Sequence, residues 1–304
     1  MIVKKNTLRF FVQVGNILVG MLSFLVALLA FASASSDAHQ RGVDLYKKKE
    51  YAAAIEALSN SIKSESPQSP DFRESALLIG QSYFMLSKGP EAIPWLEKAP
   101  ASNEASFMLG YAYIQAGQSE KSEAAFAQLF GVKPESAAAH LLAAQMLLKR
   151  EYEDQALAEA KKAVALDPNI PEGHFILGEL AVYRGSLDEG IAEMLKEITV
   201  NPAFAMAWYR LGDAYTHKER WEEAIPNLER AVWLNPEFSG PYVLLGKCYF
   251  KQQNFSNAEG ILRRALVIDP RNREAISLLG RTLSATGRAD EAHTVLEKLN
   301  PPSK

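Results

Sequence analysis

The chain has 304 residues, of which 48% are hydrophobic and 23% are charged, and its formal net charge is −3 at pH 7. This balance is typical of an ordinary globular protein and excludes both an intrinsically disordered chain and a basic nucleic-acid-binding surface. The single cysteine, Cys248, excludes an intramolecular disulfide framework, so stability must come from packing.

Residues 1–34 are predicted to be a targeting segment. Positive charges, including Arg9, precede an apolar run from Phe10 to Ala32, and Ala32-Ser33-Ala34 has the small-residue pattern of a processing site. The charges predict that the remaining chain is exported. Two outcomes stay open: a periplasmic or secreted protein after cleavage of a signal peptide, or an anchored protein facing outside the cytoplasm. In the second case the membrane contacts only residues 1–34.

Beyond this segment, one pattern recurs every 34 residues. Leu177-Gly178 returns as Leu211-Gly212, Leu245-Gly246 and Leu279-Gly280. Twelve residues after each glycine comes a small residue, and a proline follows twelve residues later. The small residues are Gly190, Ala224, Ala258 and Ala292, and the prolines are Pro202, Pro236 and Pro270. A fixed period of this length predicts a repeat architecture.

Residues 205–238 show what one unit is built from. Trp208, Leu211, Gly212 and Tyr215 follow the i, i+3, i+4, i+7 spacing of one apolar helix stripe, and a matching stripe on a second helix begins at Ala224. The small residues predict a close approach of two antiparallel helices, where a larger side chain would overpack the contact. A hairpin this small cannot bury both faces, so neighbouring hairpins must stack.

These positions resemble the tetratricopeptide repeat (TPR). Trp208-x2-Leu211-Gly212-x2-Tyr215, followed by Ala224, Ala231 and Pro236, agrees with its pattern. Repeat position n is residue 204+n in this unit. The resemblance implies an all-α, superhelical TPR solenoid of about eight antiparallel helix hairpins. The predicted repeats are residues 35–66 (an atypical first repeat), 73–102 (a short repeat), 103–136, 137–170, 171–204, 205–238, 239–272 and 273–304.

The sequence shows no motif for catalysis or for a cofactor. It has no P-loop, no dinucleotide-binding fingerprint, no H-E-x-x-H and no G-x-S-x-G, so we predict no enzyme, no catalytic residue and no cofactor.

His140 and His174 both occupy position 4, where two imidazoles could approach a metal. Because position 4 holds packing residues such as Trp208 and Tyr242 elsewhere, we predict no metal site. Cys248 occupies position 10 and is predicted to be a small buried hydrophobe.

The first helix of each repeat has a second stripe at positions 2, 5, 9 and 12. In TPR proteins this stripe lines the concave groove, and the resemblance implies the same here. The predicted peptide-binding residues at positions 5 and 9 are Phe107, Tyr111, Leu141, Gln145, Phe175, Glu179, Tyr209, Asp213, Lys247 and Arg281. Aromatic anchors with a charged flank suit an extended peptide or an amphipathic helix. The alternative is that these side chains pack between neighbouring repeats, with Asp213 paired to Lys247.

One binding mode of TPR proteins is excluded. Repeats that clamp a peptide's C-terminal carboxylate carry lysine at position 5 and asparagine at position 9, and no repeat of this chain has either.

The sequence therefore predicts a non-enzymatic protein-interaction scaffold of the cell envelope, whose partner is another protein and not nucleic acid. One alternative is a structural subunit of an envelope secretion or polysaccharide-export assembly, which would use the edges and ends of the array and allow self-association. The other is an enzyme with zinc at His140 and His174. The fold by itself does not choose among these functions.

Overall fold

The computed structural model describes residues 37–299, which fold into helices joined by turns, with no strand in that range. The chain divides into two compact units, Met1–Glu135 and Ser136–Lys304. The predicted targeting segment, residues 1–34, lies outside the described residues. Between residues 37 and 299, every helix is too short or too polar to cross a membrane.

The first unit, called unit 1, contains six helices and one short 3₁₀ turn at Ile62–Ser64 within its described residues, 37–135. The helices are residues 37–47 (α1), Tyr51–Ser61 (α2), Pro70–Met85 (α3), Gly89–Leu96 (α4), Asn103–Gln115 (α5) and Ser119–Phe130 (α6).

Over residues 136–299, the second unit, called unit 2, contains ten helices, followed by a 3₁₀ turn at Glu297–Leu299. The helices are Ala137–Leu148 (α7), Glu153–Leu166 (α8), Gly173–Tyr183 (α9), Leu187–Val200 (α10), Ala205–His217 (α11), Trp221–Leu234 (α12), Ser239–Lys251 (α13), Phe255–Ile268 (α14), Arg273–Ala285 (α15) and Ala289–Leu296 (α16). Within each unit, consecutive helices pack in pairs, and each pair packs on the next. This confirms the predicted all-α repeat fold.

The close approach inside each hairpin joins positions 8 and 24. A Cβ atom added to Gly212 would lie 2.6 Å from Cδ2 of Leu228, and the same overlap recurs between Gly246 and Leu262. In these two repeats position 8 is glycine because the leucine of the second helix occupies the space of its missing side chain, whereas the repeat of residues 137–170 has alanine at both positions, Ala144 and Ala160. Ala224, which the sequence pattern paired with Gly212, meets the same site only through its backbone oxygen, at 3.4 Å.

The turn between the two helices of each repeat has a left-handed residue at position 15. Glu219 has φ 57° and Gln253 has φ 60°, while the equivalent residue is Gly185 in one repeat and Gly287 in another. Left-handed backbone costs a residue with a Cβ atom roughly 1 kcal/mol, and glycine avoids this cost.

In three repeats of unit 2, a side chain at position 4 reaches a proline carbonyl oxygen of the preceding repeat. The Trp208 indole Nε1 donates to the carbonyl oxygen of Pro202 at 3.0 Å, and the Tyr242 hydroxyl donates to that of Pro236 at 3.1 Å. Nε2 of His174 lies 3.2 Å from the equivalent oxygen of Pro168. In these repeats position 4 thus holds a ring that packs and a polar edge that satisfies the carbonyl just beyond the preceding helix.

Candidate protein-binding surface

In unit 2 the first helices of the repeats lie on the inner side. Helices α7, α9, α11, α13 and α15 contact their neighbours in this series directly, whereas the neighbouring second helices approach each other less. Positions 2, 5, 9 and 12 of these five helices therefore form one surface, which we call the first-helix face.

Two of the predicted anchors lie in unit 1, on α5. Phe107 is half-buried, but Tyr111 is only 2% exposed, and its ring packs edge-on against Phe107 and Phe126 with centroids 5.0 and 5.2 Å apart. The burial of Tyr111 departs from its predicted place as an exposed anchor. Phe126 holds position 24, where the repeat of residues 137–170 has alanine and the other repeats have leucine or methionine, and its ring packs on that of Tyr111.

The position 5 aromatic rings of unit 2 lie against the last residue of their own repeat, directly before the first helix of the next repeat. Phe175 packs edge-on against Phe204 at a centroid distance of 4.9 Å, and Tyr209 packs in the same way on Phe238 at 4.8 Å. Phe175, Tyr209 and the equivalent Leu141 are all half-buried. These rings therefore contribute to packing between repeats while part of each stays on the first-helix face.

Glu179 and Asp213 belong to an ionic network around Arg210. Arg210 Nη2 lies 3.1 Å from Glu179 Oε2, and its Nη1 lies 3.9 Å from Asp213 Oδ2. Burial raises the pKa of Glu179, Arg210 opposes the shift, and the nearby Asp213 adds to it. Asp213 also lies 3.3 Å from His217 Nδ1, so its ionic partners are Arg210 and His217 and not Lys247.

Sequence reasoning missed Arg210, which occupies position 6. The residue follows Tyr209 and precedes Asp213 by three residues, a spacing at which opposite charges meet on a helix. Gln145, at the other end of the face, donates from Nε2 to Glu172 Oε2 at 3.1 Å.

Lys247 and Arg281 lie in one depression between α13 and α15. Its volume is about 310 Å³, and its lining is Lys247, Phe250, Lys251, Glu274, Ser277, Leu278 and Arg281. The Arg281 guanidinium lies over the Phe250 ring at 4.8 Å from its centroid. Within residues 37–299, no carboxylate lies within the 4.0 Å ion-pair distance of Lys247, Lys251 or Arg281. We call this feature the basic depression.

The two histidines at position 4 do not form a site together. His140 Nδ1 lies 2.6 Å from Glu159 Oε2, and His174 Nδ1 lies 2.6 Å from Glu193 Oε2, so each histidine pairs with the second helix of its own repeat. In the described part of the chain, no group of three or more metal-ligating side chains comes together.

Cys248 is 0% exposed, as predicted for a small buried hydrophobe. Burial raises the pKa of its thiol, whose sulfur lies 3.6 Å from the Thr216 hydroxyl oxygen.

Family models described as tetratricopeptide repeat match residues 39–106 and 107–171, 205–238, and 252–302. No curated protein sequence matches the chain significantly.

Several solved structures share the fold. A crystal structure of MamA protein is 25% identical, with a TM-score of 0.51, covering 55% of this chain and 91% of that one. YrrB, described as a TPR protein with an unusual peptide-binding site, is 22% identical with a TM-score of 0.52, over 58% and 93% of the two chains. The pilF protein of Pseudomonas aeruginosa is 20% identical with a TM-score of 0.53, over 66% and 93%. The chain belongs to the tetratricopeptide repeat family, whose fold serves as a scaffold for protein–protein interaction.

Proposed function

We propose that this chain is a non-enzymatic scaffold of the cell envelope that binds a segment of a partner protein on the first-helix face of unit 2. The observation that carries the proposal is the composition of that face. Half-buried aromatic rings, a carboxylate network and cations without an ionic partner lie on neighbouring helices. Such a surface offers apolar contact and charge selection together.

The parts of the face have different roles in this proposal. Phe175 and Tyr209 are fixed by their ring contacts with Phe204 and Phe238, so a partner gains apolar contact without the cost of ordering flexible side chains. The network of Glu179, Arg210 and Asp213 disfavours partner segments that place an incompatible charge next to it on the first-helix face.

The envelope placement is supported by the pattern of residues 1–34. An alkaline phosphatase fused after residue 299 should be active only when residues 1–34 are present, since this enzyme needs an oxidising compartment for its disulfides. Equal activity with and without residues 1–34 would place the protein in the cytoplasm and contradict this part of the proposal.

The binding face is tested by site-specific photo-crosslinking in native membranes. Benzoylphenylalanine is placed at Tyr209 or Phe250 on the first-helix face, and in the controls at Trp233 or Val267 on second helices. Both control side chains are well exposed, at 69% and 68%. We expect one protein adduct from the face positions and none from the controls. If only the control positions give adducts, the binding site lies on the second helices and not on the first-helix face. If the only adducts are with a second copy of this chain, the face serves self-association.

A further inference from the structure

We propose that the basic depression binds an acidic segment of the partner protein through the side-chain carboxylates of that segment. This inference rests on the proposed function and names the chemistry of the partner at one end of the first-helix face.

The first argument is the arrangement of the cations. Lys247 and Lys251 lie one turn apart on α13, and Arg281 occupies on α15 the position that Lys247 holds on α13. Two lysines at i and i+4 on a helix repel each other and lower the stability of the helix. A bound carboxylate would offset the repulsion between the two lysines. The depression is therefore lower in free energy when an acidic group occupies it.

The second argument is the contrast with other cations of unit 2. Arg184 pairs with Asp154 at 2.7 Å, and Arg288 pairs with Glu259 at 2.6 Å, so the acidic partner comes from the preceding repeat. Exposed cations such as Lys161 and Arg271 also have no ion pair in the described part of the chain, but Lys247, Lys251 and Arg281 differ from them because all three line one depression. Glu274 is the one carboxylate in the lining, and it opposes three positive charges.

The third argument is the orientation of Arg281. Because its guanidinium lies over the Phe250 ring, its planar edge is held in one direction. A guanidinium fixed in this way can donate two parallel hydrogen bonds to a carboxylate, while Lys247 and Lys251 add point charges.

The depression also differs from the carboxylate clamp that the sequence excludes. Position 5 holds Val243 on α13 and Ser277 on α15, and the cations come from positions 9 and 13 instead. The cations are therefore displaced toward the C-terminal ends of the first helices.

A short acidic segment fits this face better than a polyanion does. Glu179, Asp213 and Glu274 lie on the same face, and the carboxylates of Asp213 and Glu274 act on Tyr209, where they add to the burial that raises its pKa. A long phosphate backbone crossing the face would be repelled by these groups, whereas a few carboxylates confined to the basic depression would not.

The test uses the full-length chain in detergent solution and two labelled decapeptides. One carries four glutamates in a glycine and serine background, and the other carries glutamines at the same places. We expect the wild type to bind the glutamate peptide at least about tenfold more tightly, with affinity falling as salt rises. Lys247→Glu with Arg281→Glu should lose this binding and gain binding of a matched lysine peptide.

The control variant is Lys161→Glu with Arg271→Glu, which changes the net charge equally at exposed sites away from the depression. It should bind the glutamate peptide like the wild type. Equal binding of the two peptides by the wild type, or equal loss in both charge-reversal variants, would overturn the inference. So would tighter binding of a single-stranded DNA octamer or of anionic vesicles that is lost in the same depression variant.

Repeating the photo-crosslinking in the Lys247→Glu, Arg281→Glu background separates the two proposals. If Tyr209 still captures the partner, the first-helix face is the binding site and the acidic-segment inference is wrong. If the wild type gives no adduct from the face, the proposed function is wrong whatever the decapeptides do.

Discussion

The imidazole of His174 is held between two acceptors: its Nδ1 lies 2.6 Å from Glu193 Oε2 and its Nε2 lies 3.2 Å from the carbonyl oxygen of Pro168. The other carboxylate oxygen of Glu193 accepts from Lys196 at 2.7 Å. The two oxygens of Glu193 thus meet different partners, the His174 ring and the Lys196 ammonium.

Glu193→Gln should lower stability at neutral pH but not at acid pH. Burial would raise the pKa of Glu193, but the hydrogen bonds from Lys196 and His174 outweigh it and hold the pKa below the ordinary value of 4.5. A lowered pKa in the folded state adds stability that is present above the unfolded value and is lost as pH falls through the folded one. The difference in unfolding midpoint between the two proteins should therefore shrink below about pH 4.5. Glu222→Gln on the exposed surface is the control and should show no such trend.

Gly212→Ala and Gly260→Ala should change stability in opposite directions. A Cβ atom at Gly212 overlaps Leu228, so overpacking should cost about 1–3 kcal/mol, whereas Gly260 in α14 has open space around it. Alanine at Gly260 should gain about 0.5–1 kcal/mol from helix propensity. Chemical denaturation monitored by circular dichroism measures both, and stabilisation by Gly212→Ala would contradict the close approach of positions 8 and 24.

Gly185→Ala should be destabilising although nothing surrounds the added atom. Gly185 has φ 81° and no heavy atom within 4 Å of an added Cβ, so the cost is conformational alone, at about 1 kcal/mol. The reverse change at the equivalent turn, Gln253→Gly, should leave the unfolding midpoint unchanged or raise it. Equal destabilisation by both substitutions would mean that the side chains at these turns matter and the backbone geometry does not.

Tyr111→Ser should unfold unit 1 more readily instead of only weakening partner binding. Removing a buried aromatic ring costs about 3–5 kcal/mol, and half-buried Phe107 should cost less when changed to serine. Guanidinium titrations of the two variants measure the difference. Tyr111→Ser with unchanged stability would return Tyr111 to the list of exposed anchors.

Cys248 should be unreactive toward thiol reagents in the folded protein. The side chain has no exposed surface, and burial raises the pKa of the thiol, so little thiolate is present at neutral pH. Ellman's reagent should react at once in guanidinium and only slowly in buffer. Rapid labelling in buffer would show that α13 opens readily.

The repeat pattern predicted the fold because its period reports packing directly. Gly212 and Leu211 are constrained by contacts inside one hairpin, and such contacts recur in every repeat. The exposure and the contacts of a side chain on the candidate surface depend on which neighbouring side chains surround it. The repeat period does not report the identity of those neighbours. Tyr111 packs edge-on between Phe107 and Phe126, and Arg210 joins Glu179 to Asp213 across a repeat boundary.

The basic depression is a second place where the repeat period does not predict which side chains are neighbours. Lys247 and Arg281 were predicted from their stripe, but Lys251 and Phe250 join them because α13 and α15 lie side by side. Position 4 is a further case: Trp208 and Tyr242 were predicted to pack, and their polar edges turn out to bond to the preceding repeat.

The bond between a position 4 ring and the proline carbonyl of the preceding repeat also bears on how the array can change its length. Residues 205–238 carry a donor near their beginning, the Trp208 indole, and an acceptor near their end, the Pro236 carbonyl oxygen. Duplicating or excising this whole unit therefore re-forms the bonds at both of its ends, whereas a cut out of phase leaves one donor and one acceptor unmatched. Tandem duplication in whole units is then the low-cost route by which this chain gains or loses binding surface, and a new unit can diverge on its first-helix face without disturbing its joints.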